Sequence, residues 1–235
     1  MVNFHLELFE ERSVPYLYEG IKDIPGNLYS NSTGLSKGIT IVNLIAPFFN
    51  VSQADLIPSC GVFSRRYRLG FAMDLKDYES PRTFLQNQLG KKIFKNLRQE
   101  RNQLERKFNI TFKVYYGDID PDVYTLMLDK LKSFITRRFE GKTSKHLALK
   151  KWDFYKKSLR NEILARNASM FVLFDQDNPI AIAVNYHFRN IMFAAIISFD
   201  TQYSKYSLGK QMFYRQVEWC FENNYQLIDL GWGYL

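Results

Sequence analysis

From residue 110 onward, hydrophobic and polar positions fall into regular periods. Ile110–Tyr116 (ITFKVYY) alternates and predicts a half-buried strand, broken by Gly117-Asp118. Pro121 opens a predicted helix in which Tyr124, Met127, Leu128, Leu131, Phe134 and Ile135 recur at helical spacing, and Gly141 ends it. Leu149–Ala165 reads as another helix, with Trp152, Tyr155, Leu159 and Ile163 on one face. Three strands follow: Met170–Phe174, Ile180–Phe188 and Ile191–Phe199, joined by Asp177-Asn178-Pro179 and by the two-residue turn Arg189-Asn190. The third, IMFAAIISF, is almost wholly apolar, the pattern of a strand buried on both faces. Ser207 is placed to cap a helix running to Glu222, with Phe213, Val217, Cys220 and Phe221 inward. Tyr225–Leu230 reads as a last strand. The predicted order is strand, helix, helix, three-strand meander, helix, strand.

Upstream the pattern is weaker. Turn signals crowd the first 74 residues, among them Pro25-Gly26, Asn31-Ser32 and Cys60-Gly61, and only Ile39–Ile45 and Tyr67–Leu75 read as strands. Ser80-Pro81 starts a helix to about Leu89. After Gly90 comes KKIFKNLRQERNQLERKF, a helix whose apolar residues Ile93, Leu97, Leu104 and Phe108 are thinly spread among basic ones. It reads either as a solvated helix held by Glu–Arg pairs or as an anion-contacting one. A break around residues 75–90 separates an irregular first part from an ordered second part.

Composition narrows the class. A hydrophobic fraction of 46% supports a packed core, and 20 Phe and 15 Tyr make it bulky. The net charge of +8 favours an anionic partner, whether nucleic acid, an acidic membrane surface or a phosphate-bearing cofactor. The two cysteines, Cys60 and Cys220, are far apart, which excludes a disulfide framework and a zinc site and predicts a reducing, cytoplasmic setting. The first residues, MVNFHLELFEE, have no signal-peptide pattern, and the longest apolar stretch, Ile39–Val51, is too short to span a bilayer.

The chemistry concentrates after the meander, at Asp200-Thr201-Gln202-Tyr203-Ser204-Lys205-Tyr206-Ser207-Leu208-Gly209-Lys210. Here a buried strand runs into a helix N-terminus. First-turn amides lack partners within the helix and carry the positive end of its dipole, so the turn suits a pyrophosphate. Gly209 has no Cβ to hold a phosphate away, and Lys205 and Lys210 add charge. The next strand is reached through a helical crossover, which predicts a parallel pair. Asp200 is placed to cap the loop.

Three stretches carry a resemblance to a family: NLRQERNQLER, DTQYSKYSLGKQM and VEWCFENNYQLIDLGWG. With their spacing, residues 70–235 resemble the GNAT superfamily. More closely they resemble the acetyltransferase-like family linked to cellulose biosynthesis, related to the Fem-type aminoacyl transferases. The resemblance implies an α/β (α+β) fold, a mixed and mostly antiparallel sheet with helices on both faces. It implies residues 86–235 as the acyltransferase domain and residues 1–85 as an irregular α/β part or a partial half of the same kind. It implies acyl transfer from acetyl-CoA or another acyl-CoA, without a metal, to an amine or hydroxyl acceptor such as a cell-envelope precursor. Two alternatives are a Fem-type transfer from aminoacyl-tRNA and a non-catalytic module whose cleft is filled by Phe199 or Trp232. The donor's pyrophosphate would sit on Tyr206, Ser207, Leu208, Gly209 and Lys210, and its pantetheine arm beside Ile191–Phe199. The usual turn has an Arg or Gln and two glycines; here Gly209 stands alone. GNAT domains also continue with a further helix and two strands, so another part must complete the fold or the chain is truncated.

Acyl transfer needs a neutral amine, a polarised carbonyl and an acid for the leaving thiolate. Tyr234, just past the last strand, is the candidate acid. Asp229, within that strand, is a candidate base or substrate-orienting group, or else a buried structural Asp. His187 lies at the end of the sheet away from the turn and reads as structural. Cys220 reads as core.

Overall fold

A computed structural model describes residues 2–3, 8–10, 18–21, 42–43, 48–51, 69–143 and 146–233. The chain divides into two compact units. One comprises 1–71 with 231–235, the other Ala72–Leu230. In the first, β1 (Val2–Asn3) pairs in parallel with β3 (Val42–Asn43), and β2 (Tyr18–Ile21) pairs antiparallel with β4 (Phe49–Val51). Most of the expected strand Ile39–Ile45, together with Cys60, lies outside the described residues.

The second unit holds the ordered pattern. The ordered elements, of which only residues 69–71 and 231–233 fall in the first unit, are β5 (Leu69–Asp74), α1 (Pro81–Leu89), α2 (Lys91–Lys107), β6 (Ile110–Tyr115), α3 (Pro121–Phe139), α4 (Leu147–Lys150) and α5 (Trp152–Leu164). The meander β7 (Ala168–Asp175), β8 (Asn178–Phe188) and β9 (Ile191–Phe199) follows. A 3-10 turn at Thr201–Tyr206, α6 (Leu208–Glu222) and β10 (Leu227–Gly233) complete it. The six-stranded sheet runs β5-β10-β9-β8-β7-β6. The pairs β6–β7, β7–β8 and β8–β9 are antiparallel, and β9–β10 is parallel, as the crossover requires. The α/β fold expected from the sequence is the one observed.

Caps and periodicity explain the helices. Ser80 accepts the Thr83 N–H at 3.2 Å ahead of Pro81. Asp120 accepts the N–H groups of Asp122 and Val123 ahead of Pro121. All six apolar positions of α3 are buried, as are the four of α5. Each such side chain contributes about 1.5–3 kcal/mol by leaving water. The helix expected over Leu149–Ala165 is split at Lys151, where α4 ends and α5 begins.

The sheet is covered on both faces. Phe171, Leu173, Ala181, Ala183 and Met192 join α1, α2 and α6 in one core. The alternating residues, such as Val172, Ile182 and Val184, are buried on the opposite face, where α3 packs on β8 and β9. In α2 it is Phe94, with Leu97 and Leu104, that is buried, and Ile93 is exposed.

Candidate functional site

Asp200 ends β9 and organises the turn. Its carboxylate accepts the Gln202 N–H at 3.0 Å, and its own N–H donates to the Ile180 carbonyl at 2.8 Å. The result is a 3-10 turn that the sequence pattern did not reveal. It is tied down at two points. The Tyr203 hydroxyl donates to Asp175 Oδ2 at 2.8 Å, and Asp175 Oδ1 accepts the Asn109 N–H at 3.2 Å. The ring of Phe108, at the end of α2, contacts both Tyr203 and Tyr206, with centroids at 5.0 and 5.6 Å. Burial, then the hydrogen bond and charge of Asp175 and the charge of Asp200, push Tyr203 up to about 12, so it stays a donor.

Ser207 departs from its expected role. It holds the N-cap position of α6, yet its side chain makes no capping bond. Its backbone is left-handed, φ 51 and ψ 43, not the extended conformation from which an N-cap side chain reaches the first-turn amides. Its carbonyl accepts Lys210 N–H at 2.8 Å and Gln211 N–H at 3.0 Å. The amides of Leu208 and Gly209 precede these and have no partner within the helix. A left-handed residue followed by a right-handed helix turns successive N–H groups into one concavity, an anion nest. Ser207 and the first residues of α6 follow this left-handed-then-helical order.

The five residues expected in the cradle divide by role. Tyr206 and Leu208 are buried anchors. Lys210 and the neighbouring Lys205 are exposed cations, with Lys205 Nζ lying 5.2 Å from the Tyr206 ring. A Cβ placed on Gly209 would lie 3.2 Å from Cε1 of Phe199, so its missing side chain admits the Phe199 ring of β9 rather than open space. On the same ring sits the guanidinium of Arg138, from the end of α3, at 5.2 Å. Arg138 carried no sequence signal.

The strands beside this turn part company. The β9–β10 ladder registers Leu227 on Ile191, Ile228 on Met192 and Asp229 on Phe193. Among the described residues it registers no further pair. At that point the β8–β9 ladder slips. Asn185 faces Ala194 and Val184 faces Ile196, which leaves Ala195 as an extra residue. Such a bulge bends its strand. Ala194 and Ala195 are half-buried where the flanking Phe193 and Ile196 are buried, and they lie where β10 falls away. Asp229, buried, occupies the last paired position of β10. Tyr234 and the side chain of Trp232 lie outside the described residues.

His187 is part of the frame, as its position implied. Its Nε2 and the Ser169 hydroxyl are 2.8 Å apart. Asn185 Nδ2 donates to the same hydroxyl at 3.2 Å, and Gln216 Nε2, from α6, donates to Asn185 Oδ1 at 2.6 Å. The rings of Tyr116, Trp219 and Tyr225 close over the imidazole. Cys220 is fully buried, with its thiol pushed up by desolvation and its Sγ 3.7 Å from Met192 Sδ. Among the described residues, no helix is long and apolar enough to cross a membrane.

Comparison with known proteins gives three results. Residues 91–235 match the family model of the acetyltransferase (GNAT) domain. No curated protein matches. Several solved structures are similar to the chain at low identity. The C-terminal DUF2156 domain of an Agrobacterium fabrum protein is 16% identical, with TM-score 0.48, over 70% of this chain and 46% of that one. L-PGS from Bacillus licheniformis is 17% identical, with TM-score 0.44, over 71% and 46%. A GNAT-family acetyltransferase from Staphylococcus aureus is 12% identical, with TM-score 0.37, over 49% and 70%. The chain therefore spans less than half the length of the first two.

Proposed function

The chain belongs to the acetyltransferase (GNAT) domain family, and from that premise we propose that residues 86–235 are an acyl-CoA-dependent acyltransferase domain acting on an amine or hydroxyl acceptor in the cytoplasm. One observation carries this reading. The anion nest at Ser207–Gly209 and the parting of β9 from β10 after Phe193 and Asp229 belong to one continuous stretch of sheet and turn.

The residues fit such a donor. Its pyrophosphate needs converging amide N–H groups and positive charge, which Leu208, Gly209, Lys205 and Lys210 supply. Its extended arm carries amide groups and needs unpaired strand edge, which β9 offers from Ala194 onward. When bound, the donor supplies a thioester. The acceptor nitrogen or oxygen bonds to the carbonyl carbon as the carbon–sulfur bond breaks, and the thiolate takes up a proton. Tyr234 is our candidate for delivering that proton. Asp229, at the last paired position, is our candidate for orienting the acceptor or receiving its proton.

Thermal shift and calorimetry with acetyl-CoA test the reading. A donor at about one hundred times its Kd stabilises the fold by about 2.7 kcal/mol. Gly209→Asp, which puts a carboxylate beside the nest, should abolish that shift. Unchanged affinity in Gly209→Asp would overturn the cradle assignment.

A further inference from the structure

The α2 helix raises a question that the acyl-transfer reading leaves unanswered. Lys91, Lys95, Arg98, Asn102 and Arg106 recur at steps of three and four, so they share one face of the helix. Lys92 and Gln99 flank that face. Each of these residues is exposed, and among the described residues none of the cations forms an ion pair. Shallow troughs run along the face, one floored by Phe94 between Lys91, Lys95 and Arg98, the next bordered by Gln99, Asn102 and Arg106.

Helix stability does not explain the pattern. A helix held by its own charges would carry Glu or Asp in its first turn and spread its ion pairs over the surface. α2 begins with Lys91 and Lys92 and has no acid in its first turn. Both cations face the positive end of the helix dipole, which costs stability. Of its carboxylates, Glu105 is engaged with Arg101 at 3.9 Å and with Arg215 of α6 at 3.7 Å. Glu100 lies half-buried, on the side opposite Lys91. Glu105 borders the cationic face, three residues after Asn102 and seven after Arg98, and is the acid nearest to it.

We propose that this face of α2 docks the phosphate backbone of an RNA strand. From Lys91 to Arg106 the helix rises roughly 22 Å, at 1.5 Å per residue. That spans about six phosphates of a stacked strand at 3.4 Å each. Arg98 and Arg106 fork onto phosphate oxygens, and Gln99 and Asn102 supply neutral donors between them. A membrane surface fits less well. Helices that lie on bilayers flank their cations with large apolar residues, and the exposed apolar residue of α2, Ile93, points away from the cationic stripe.

The test is fluorescence anisotropy of the whole chain with a labelled single-stranded RNA of about 20 nucleotides, titrated from about 50 to about 200 mM salt. The four cations of the face predict a slope of log K against log salt of about −2.8. Lys95→Gln/Arg98→Gln should make that slope shallower by about 1.4 and weaken binding at least tenfold. Its melting temperature and its acetyl-CoA shift serve as folding controls. Lys156→Gln/Lys157→Gln removes the same charge from α5 and should leave the slope unchanged. Equal losses in both double variants would show diffuse attraction to net charge and overturn the proposal. It is also overturned if the α2 variant loses only its binding to phosphatidylserine-containing vesicles while RNA affinity is unaltered.

Discussion

Gly209 and Phe199 are in packing contact across the junction of β9 and α6: a Cβ on Gly209 would stand 3.2 Å from the Phe199 ring. Two effects then oppose each other in Gly209→Ala. Alanine favours a helix over glycine by up to about 1 kcal/mol. The ring must shift to admit it, at a similar cost. We expect Gly209→Ala to give no gain, or a loss of up to about 1 kcal/mol, in urea unfolding. In a Phe199→Ala background the same change should stabilise by about 0.5–1 kcal/mol. Equal effects in both backgrounds would show that the two residues are uncoupled.

Ser207 gives a sharper contrast. A serine that caps a helix costs about 1 kcal/mol when changed to alanine. Ser207 makes no capping bond, so Ser207→Ala should cost less than about 0.5 kcal/mol. Its left-handed backbone makes a β-branched residue unwelcome, and Ser207→Val should cost about 1–2 kcal/mol. Ser207→Gly should be stable and should keep the nest, hence acetyl-CoA affinity. A full capping loss in Ser207→Ala would contradict the observed geometry.

These residues also show where sequence reasoning reached and where it stopped. The buried faces of α3 and α5 were legible residue by residue, because amphipathic periodicity carries that information. The parallel pairing of β9 and β10 followed from the crossover between them. The backbone conformation of Ser207 was not legible, because serine is common at N-caps and rare in the left-handed region. Nor was the bulge at Ala195, which depends on pairing across strands and has no local signature. In α6 the pattern marked Phe213 and Phe221 as core, but they are only half-buried, and Gln211 and Gln216 are buried instead. Buried glutamines are visible only through their partners, here the Leu97 carbonyl and Asn185 Oδ1. Asp229 is buried as the structural reading of its strand implied.

The Gln216–Asn185–Ser169–His187 chain ties α6 to β7 and β8 through hydrogen bonds in the core. Gln216→Leu keeps the volume but leaves Asn185 Oδ1 without its donor. The expected cost is about 1–3 kcal/mol, the desolvation penalty of an orphaned polar group. Adding Asn185→Leu should recover part of that cost, and urea unfolding of the four proteins in the cycle measures it. Strictly additive losses would mean that the 2.6 Å contact contributes nothing.

His146 makes stability depend on pH. Its Nδ1 accepts the Ala148 N–H at 3.1 Å and caps α4, which requires the neutral ring. Burial, and then the positive charge of Arg138, hold its pKa below the ordinary 6.5. Between that lowered value and 6.5 the unfolded chain binds more protons than the folded one. Stability therefore falls as pH drops through 6.5 and levels off below the folded pKa. His146→Asn keeps an oxygen acceptor for the cap and does not titrate. We expect denaturation curves from about pH 7 to about pH 5 to show a smaller loss in His146→Asn than in the parent. Parallel pH profiles would show that His146 is not held neutral by the fold.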